Sequence, residues 1–263
     1  VLIGKAGTAT TSLCTADAET ITVRGYDLCT ELMGQKTFTD FFYLSVTGVL
    51  PSDQQRYFID LLLISIAEHG LTPNAQAARM TLASGPDALQ AALAAGILGC
   101  GSVILGAAED AGYLLVKVRE NMADSNDLEA ASRRVANEIR ANRGKLAGFG
   151  HPLHRPLDPR AERILALARE KGAAGAHCAI AEALREAVTE AWGKPLTLNV
   201  SLAIAAVLLD LGFPVRMIKA IPLLARTAGL LGHLAEEQET PIGFLMAASA
   251  EDAITYTPQE QRA

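Results

Sequence analysis

The sequence predicts an all-α fold, and three observations carry that prediction. Ala and Leu dominate while aromatic residues make up 5% of the 263, a composition suited to helices packed on helices. Apolar residues recur at helical spacing in the long segments, as at Phe58, Leu61, Leu62 and Ile66. Gly and Pro punctuate those segments, and neither a βαβ order nor a 20–50-residue repeat is visible. Half the residues are hydrophobic, which is ample for a buried core. The expected organisation is a large helical domain, residues 1–107 and 198–263, with a smaller helical domain, 108–197, inserted in it.

Taken in order, residues 1–24 are Thr- and Ala-rich and end in Ile21-Thr22-Val23-Arg24, a short extended piece. A helix is expected from Leu28 to about Met33. Thr37 to Asp40 supply capping groups for a helix over 41–47 that Gly48 ends. Pro51-Ser52-Asp53 starts a longer helix that closes at Glu68-His69-Gly70. Thr72-Pro73-Asn74 opens the next, over 75–83. Residues 87–106 read as one or two helices of small residues, with Gly96, Gly99, Gly101 and Gly106. Small residues permit close backbone approach, either inside the core or at a seam between subunits. Further helices follow at 109–120, at 127–142 with Ser125 as cap, at 160–171 and at 177–191. Asn199 to Leu211 is apolar throughout and reads as a buried helix, and Pro222 sits early in another. That last helix carries Arg226 among leucines, and a buried guanidinium needs a partner, either a ligand carboxylate or a structural Asp or Glu. The tail from Gln238 reads as polar and partly ordered.

A net charge of −6 argues against non-specific nucleic-acid binding. The charge is uneven, however: residues 133–171 hold ten Lys and Arg against four Asp and Glu, which suits an anionic small ligand as well as an ordinary solvated face. Cys14, Cys29, Cys100 and Cys178 have no metal-ligand or disulfide spacing. The opening residues lack the regions of a signal peptide, and the apolar runs are too short to span a bilayer. A soluble cytoplasmic protein without a metal, nucleic-acid or membrane partner is expected.

The densest chemistry lies in Gly148-Phe149-Gly150-His151-Pro152-Leu153-His154-Arg155-Pro156-Leu157-Asp158-Pro159-Arg160. Glycines let backbone approach a ligand, and prolines keep the segment from continuing as helix. A rigid bend would then hold His151 as an acid/base group beside an arginine. An ordinary loop with a surface histidine has the same composition.

Gly-Phe-Gly-His followed by Asp-Pro-Arg resembles the signature of the citrate synthase superfamily, which includes citrate synthases, 2-methylcitrate synthases, citryl-CoA lyases and the lyase module of ATP-citrate lyase. Other pieces in the same order are similar to it: Arg24-Gly25-Tyr26, Gly48-Val49-Leu50-Pro51, Glu68-His69-Gly70 with Asn74 and Ala78-Arg79, Gly106-Ala107-Ala108-Glu109, Leu198-Asn199-Val200, and Ala225-Arg226-Thr227-Ala228-Gly229. The short length and Leu208 to Pro214 look most like the compact citryl-CoA lyases.

The resemblance implies a citrate-synthase-like fold, a homodimer, and a coenzyme A thioester with a di- or tricarboxylate as ligands. It implies that His151 is catalytic, polarising a carbonyl or deprotonating a hydroxyl, and that His69, Arg226 and Arg160 bind substrate. It places coenzyme A near Ala147, Gly148, Phe149 and Gly150, with Lys145 and Arg155 toward phosphates. Two positions depart from the pattern. Ile104 stands where the family has a histidine that hydrogen-bonds the thioester enol, and Ile cannot donate. Ser201 stands where the family has the carboxylate that moves the α-proton, and a hydroxyl is a poor base without a partner. The clamp arginine near the C-terminus also has no counterpart in Thr240-Pro241-Ile242-Gly243. A general base is worth roughly 10²–10⁴-fold and an oxyanion donor about 10²–10³-fold, so acetyl-CoA condensation should be slow. The implied activity is cleavage of a citryl-CoA-like hydroxyacyl thioester to acetyl-CoA and oxaloacetate. A diverged enzyme with another substrate and a non-catalytic coenzyme A ester binder are the alternatives.

Overall fold

The structure is a computed structural model that describes residues 9–105, 107–122 and 127–257, without the side chains of residues 102–104. Its first element departs from an all-helical reading. Cys14–Ala16 (β1), Ile21–Val23 (β2) and Tyr26–Asp27 (β3) form an antiparallel sheet in the order β1-β2-β3, with Thr15 opposite Thr22 and Val23 opposite Tyr26. Only 21–24 reads as extended in the sequence, and the strand stops one residue short of that, at Val23. The other strands depend on turns made by single residues. Asp17 accepts from the N–H groups of Glu19 and Thr20, and Arg24 and Gly25 take positive φ. A π-helical turn, Leu28–Leu32, replaces the expected helix to Met33, and Asp27 caps it.

Eleven helices follow among the described residues. They are α1 (Phe38–Thr47), α2 (Asp53–Ala67), α3 (Pro73–Ser84), α4 (Leu89–Ile104), α5 (Ala107–Met122), α6 (Leu128–Ala141), α7 (Pro159–Glu170), α8 (Ala176–Trp192), α9 (Val200–Asp210), α10 (Ala220–Glu239) and α11 (Gly243–Ala253). Capping chemistry sets several starts. Thr37 with Asp40, and Ser52 with Gln55, form reciprocal capping boxes. Asp127 caps α6 by accepting from Ala130 N–H; the expected cap Ser125 lies outside the described residues, as does Gly106. Gly101, at φ +51, interrupts α4, so the 87–106 stretch is broken once.

Helix α9 is the centre of the fold. Every residue from Leu202 to Leu208 is buried, and α9 packs against α5, α7 and α8. One hydrophobic core joins Leu62, Leu115, Leu165, Ile180 and Ile204, so both segments of the expected division contribute to it. A second cluster joins α3, α4 and α10. The small residues of α4 are used there. A Cβ on Gly96 would lie 2.9 Å from Leu230 and 3.0 Å from Ala78, and one on Gly99 would lie 3.2 Å from Asn74. Close packing within the chain therefore accounts for these two glycines.

Two buried carboxylates fasten the ends. Arg79 Nε donates to Glu237 at 2.7 Å, both side chains being almost fully buried. Glu237 also accepts from the N–H groups of Ile242 and Gly243. This carboxylate seats the start of α11, so the tail is helical well past Gln238 where the sequence reading has a partly ordered segment. Asp210, at the end of α9, accepts from the N–H groups of Gly175, His177 and Cys178 at the start of α8 and pairs with His177 Nδ1 at 2.9 Å. These bonds hold the Asp210 carboxyl down at about 2 although burial opposes them. Among the described residues no helix is long and apolar enough to cross a membrane.

Candidate active site

The Gly148–Arg160 loop is pinned to the segment that leads into α9. Gly150 N–H donates to Thr197 O at 2.7 Å, and Asn199 N–H donates to Gly148 O at 3.0 Å. The Asn199 side chain donates to Gly150 O at 3.0 Å while its oxygen caps α9 by accepting from Ser201 N–H. Gly148 has φ +82, and a Cβ there would lie 2.7 Å from that of Leu202. The loop thus approaches α9 as closely as a residue without a side chain permits.

Asp158 locks the far end of the loop. It is fully buried and caps α7. It accepts from Arg160 N–H (3.1 Å), Arg160 Nε (3.1 Å), Arg160 Nη2 (3.0 Å) and Val200 N–H (3.0 Å). Those bonds, the guanidinium above all, hold its carboxyl below the ordinary range against the pull of burial. One carboxylate therefore fixes Arg160 and ties the start of α7 to the start of α9.

His151 stands inside this frame. Its Nδ1 faces two backbone donors, Leu153 N–H at 3.1 Å and His154 N–H at 2.9 Å. Its Nε2 lies 3.2 Å from Arg160 Nη2. A neutral imidazole carries one N–H and accepts at the other nitrogen. Backbone donors face Nδ1, while Nε2 faces the Arg160 guanidinium, which can also only donate, so both ring nitrogens are held among donors and a second proton on the ring is disfavoured. Burial is the first cause that keeps His151 from protonating readily; His154, Arg160 and His69 add to it and Asp158 opposes. His69 is depressed likewise, by burial first and then by Arg160, Arg226 and His154. The His69 and His151 rings stand edge to face with centroids 5.8 Å apart.

A cavity of about 330 Å³ opens among α2, the loop, α9 and α10, lined by His69, Gly150, His151, Arg160, Asn199, Ser201 and Arg226, with Ile66 and Ile204 as part of its apolar wall. The structure thus brings together six of the residues singled out in the sequence. Arg226 makes no hydrogen bond or ion pair among the described residues. Burial and Arg160 disfavour its charge, Cys100 and Glu68 favour it, and Glu68 is instead bonded to His233 and to the N–H groups of His69 and Gly70. Of the two partners the sequence reading allows for Arg226, no structural carboxylate is bonded to it. The Ser201 hydroxyl likewise has no hydrogen-bond partner among the described residues. The Ile104 side chain lies outside the described residues.

Lys145 and Ala147 do not line this cavity. They border a separate groove of about 380 Å³ with Asp110, Tyr113 and Lys117, where Lys145 is paired with Asp110 at 2.7 Å. Phe149 bridges to Leu198, and Arg155 is exposed, with Nε 3.4 Å from His151 O. Three residues of the site have no functional role in the sequence reading: Asp158, Asn199 and His154. Asp before Pro159 and Asn before Val200 are recognisable helix caps, but capping does not reveal that both caps also build a cleft. One ring nitrogen from each of His69, His151 and His154 lies within 4.8 Å of the other two, a spacing open to a metal ion. That donor set fits one poorly: His151 Nδ1 is occupied by backbone donors, and its Nε2 faces a guanidinium.

A helical protein whose cleft is built on a Gly-His loop, with imidazoles set among guanidiniums, defines the citrate-synthase-like class. The model of the citrate synthase C-terminal domain matches residues 52–243, and the chain belongs to the citrate synthase family. It is 32% identical over 195 residues, 73% of its own length, to putative citrate synthase 2 of Mycobacterium tuberculosis. The chain spans about half the length of the curated relatives it matches. It superposes on citryl-CoA lyase from Hydrogenobacter thermophilus with a TM-score of 0.84 and 32% identity, covering 97% of this chain and 96% of that one. ATP citrate lyase from Methanothrix soehngenii, solved with citrate and coenzyme A, shares the fold with a TM-score of 0.78 at 22% identity, over 98% of this chain and 43% of that one.

Proposed function

We propose that this protein is a carbon–carbon lyase of the citryl-CoA lyase type, cleaving a hydroxyacyl-CoA thioester to acetyl-CoA and oxaloacetate. The observation that carries the reading is the arrangement of two imidazoles with depressed proton affinity between two guanidiniums in one cavity. Arg160 and Arg226 take the carboxylates of a citryl group; the Arg226 guanidinium is bonded to no other described residue. His151 Nε2–H donates to the substrate hydroxyl oxygen. His69 accepts the hydroxyl proton. The C–C bond then breaks, the oxygen's electrons form the ketone of oxaloacetate, and the bond pair passes to the thioester enolate. The enolate carbon takes a proton from the Ser201 hydroxyl, which stands where the family carries a carboxylate, and the proton held by His69 passes back to the serine oxygen, so both groups end as they began. The coenzyme A portion would run past Gly148–Gly150 toward the Lys145 groove and Arg155. A homodimer in the cytoplasm, with no metal, completes the proposal.

A second reading is favoured by one feature: among the described residues Ser201 has no hydrogen-bonded base to activate it. On that reading the pocket binds the thioester or a related oxo-acid without cleaving citryl-CoA. The test is calorimetric titration with coenzyme A, acetyl-CoA and citrate beside a citryl-CoA cleavage assay, on the wild type, His151→Ala and His69→Ala. The lyase reading expects cleavage that falls by roughly 10²–10⁴-fold in each variant. Binding without cleavage would select the second reading. Binding of none of the three ligands would overturn both.

A further inference from the structure

In the run Pro152 to Leu157, one side chain turns inward. Leu153 is 74% exposed, and Pro152, Arg155, Pro156 and Leu157 also face solvent, whereas His154 is half-buried. Its ring lies against His151, with centroids 4.3 Å apart and planes 30° apart. It is also 5.8 Å from the His69 ring. The same residue gives its backbone N–H to His151 Nδ1 at 2.9 Å. So His154 holds His151 twice, by the edge and by the face. The His154 ring makes no hydrogen bond of its own among the described residues. An apolar side chain would have filled the space without placing a third titratable group beside the other two.

We propose that His154 is a positioning residue: its ring, stacked on His151, keeps that imidazole oriented with Nδ1 on its two backbone donors and Nε2 toward Arg160 and the cavity, and free of a second proton. The steric part fixes the ring plane. The backbone donors then act on Nδ1 alone, and Nε2 cannot swing away from the cleft. The electrostatic part follows from distance. Two stacked imidazoles resist carrying a proton each, because like charges this close repel strongly. The other charged or titratable groups facing His151 are His69 from the end of α2, Asp158 and Arg160 from the start of α7, and Arg226 from α10 through the shared cavity. Asp158 alone among them favours a proton on His151, and it is already bonded to Arg160.

This inference rests on the lyase reading only for its activity arm, and the decisive measurement does not need turnover. The chain has five histidines, few enough to follow individually by NMR with ¹³C- and ¹⁵N-labelled histidine in the full chain, His151 being assigned with His151→Gln. In the wild type, His151 is expected in the Nε2–H tautomer with a midpoint below the ordinary 6.5. His154→Phe keeps a flat ring without a charge. It should preserve the tautomer while the His151 midpoint rises by on the order of half a unit or more. His154→Ala removes the ring and should give a mixture of tautomers. In the cleavage assay His154→Ala should lower kcat by about tenfold with KM little changed, and His154→Phe should restore kcat at high pH. An unchanged His151 tautomer and midpoint in both variants would overturn the proposal. If the wild type cleaves no citryl-CoA, the lyase reading falls while the NMR result still decides the role of His154.

Discussion

Replacing Asp158 by Asn should destabilise the protein and disable its cleft together. The carboxylate is fully buried and accepts four hydrogen bonds, two of them from the Arg160 side chain. Asn keeps one oxygen, which can serve Arg160 N–H and Nε. The second oxygen becomes an NH₂ group facing Val200 N–H and Arg160 Nη2, so two donors lose their acceptor. The guanidinium, about one-fifth exposed, also loses its counter-charge. A hydrogen bond to a charged group is worth about 1.5–3 kcal/mol, and breaking a buried pair from one side costs about 3–5 kcal/mol. Allowing for the partial exposure of Arg160, we expect a loss of about 3 kcal/mol in urea unfolding at pH 7. The pH dependence follows from the depressed carboxyl. Its contribution is complete above its ordinary value of 3.8 and is lost as pH falls through the lower folded-state value. The gap between wild type and variant should narrow over that range. A double-mutant cycle with Arg160→Gln should give a coupling of at least about 1 kcal/mol. A loss below about 1 kcal/mol at pH 7, or additivity with Arg160→Gln, would refute the account of Asp158 as the group that fixes the guanidinium.

Two further outcomes follow from other parts of the fold. Asp210→Asn should cost about 2.5 kcal/mol at pH 7, since a carboxyl held at about 2 rather than 3.8 differs by nearly two units at about 1.4 kcal/mol each; in an acid titration of unfolding the gap between wild type and variant should close between pH 4 and pH 2. Gly148→Ala adds a Cβ 2.7 Å from Leu202 at φ +82, so thermal unfolding should show a loss of about 2 kcal/mol or more, and citrate binding should weaken as the loop is pushed from α9.

Much of this protein is legible in its sequence because the signals are local. Helix starts at Thr37, Ser52 and Pro73 follow from backbone N–H groups that need a nearby acceptor or none at all. The unbroken apolar run after Asn199 identifies the buried helix, since all its faces meet protein. The order of motifs from Arg24 to Gly229 was enough to identify the family. The tertiary structure decided what depends on groups distant in the chain. The β1–β3 sheet forms because Asp17 and Gly25 turn the chain back on itself, which no periodicity reports. Helix α11 stands where a polar tail was expected because Glu237 is buried against Arg79 and receives the first N–H groups of that helix. In the cleft, residue types in the sequence could propose His151, His69 and Arg226 but not their protonation. The setting of the His151 ring follows from two backbone N–H groups aimed at Nδ1 and a guanidinium at Nε2, and their aim is a property of the folded loop. Asp158 reads locally as a helix cap, yet it governs Arg160 and Val200 because folding brings α7 and α9 to one buried carboxylate.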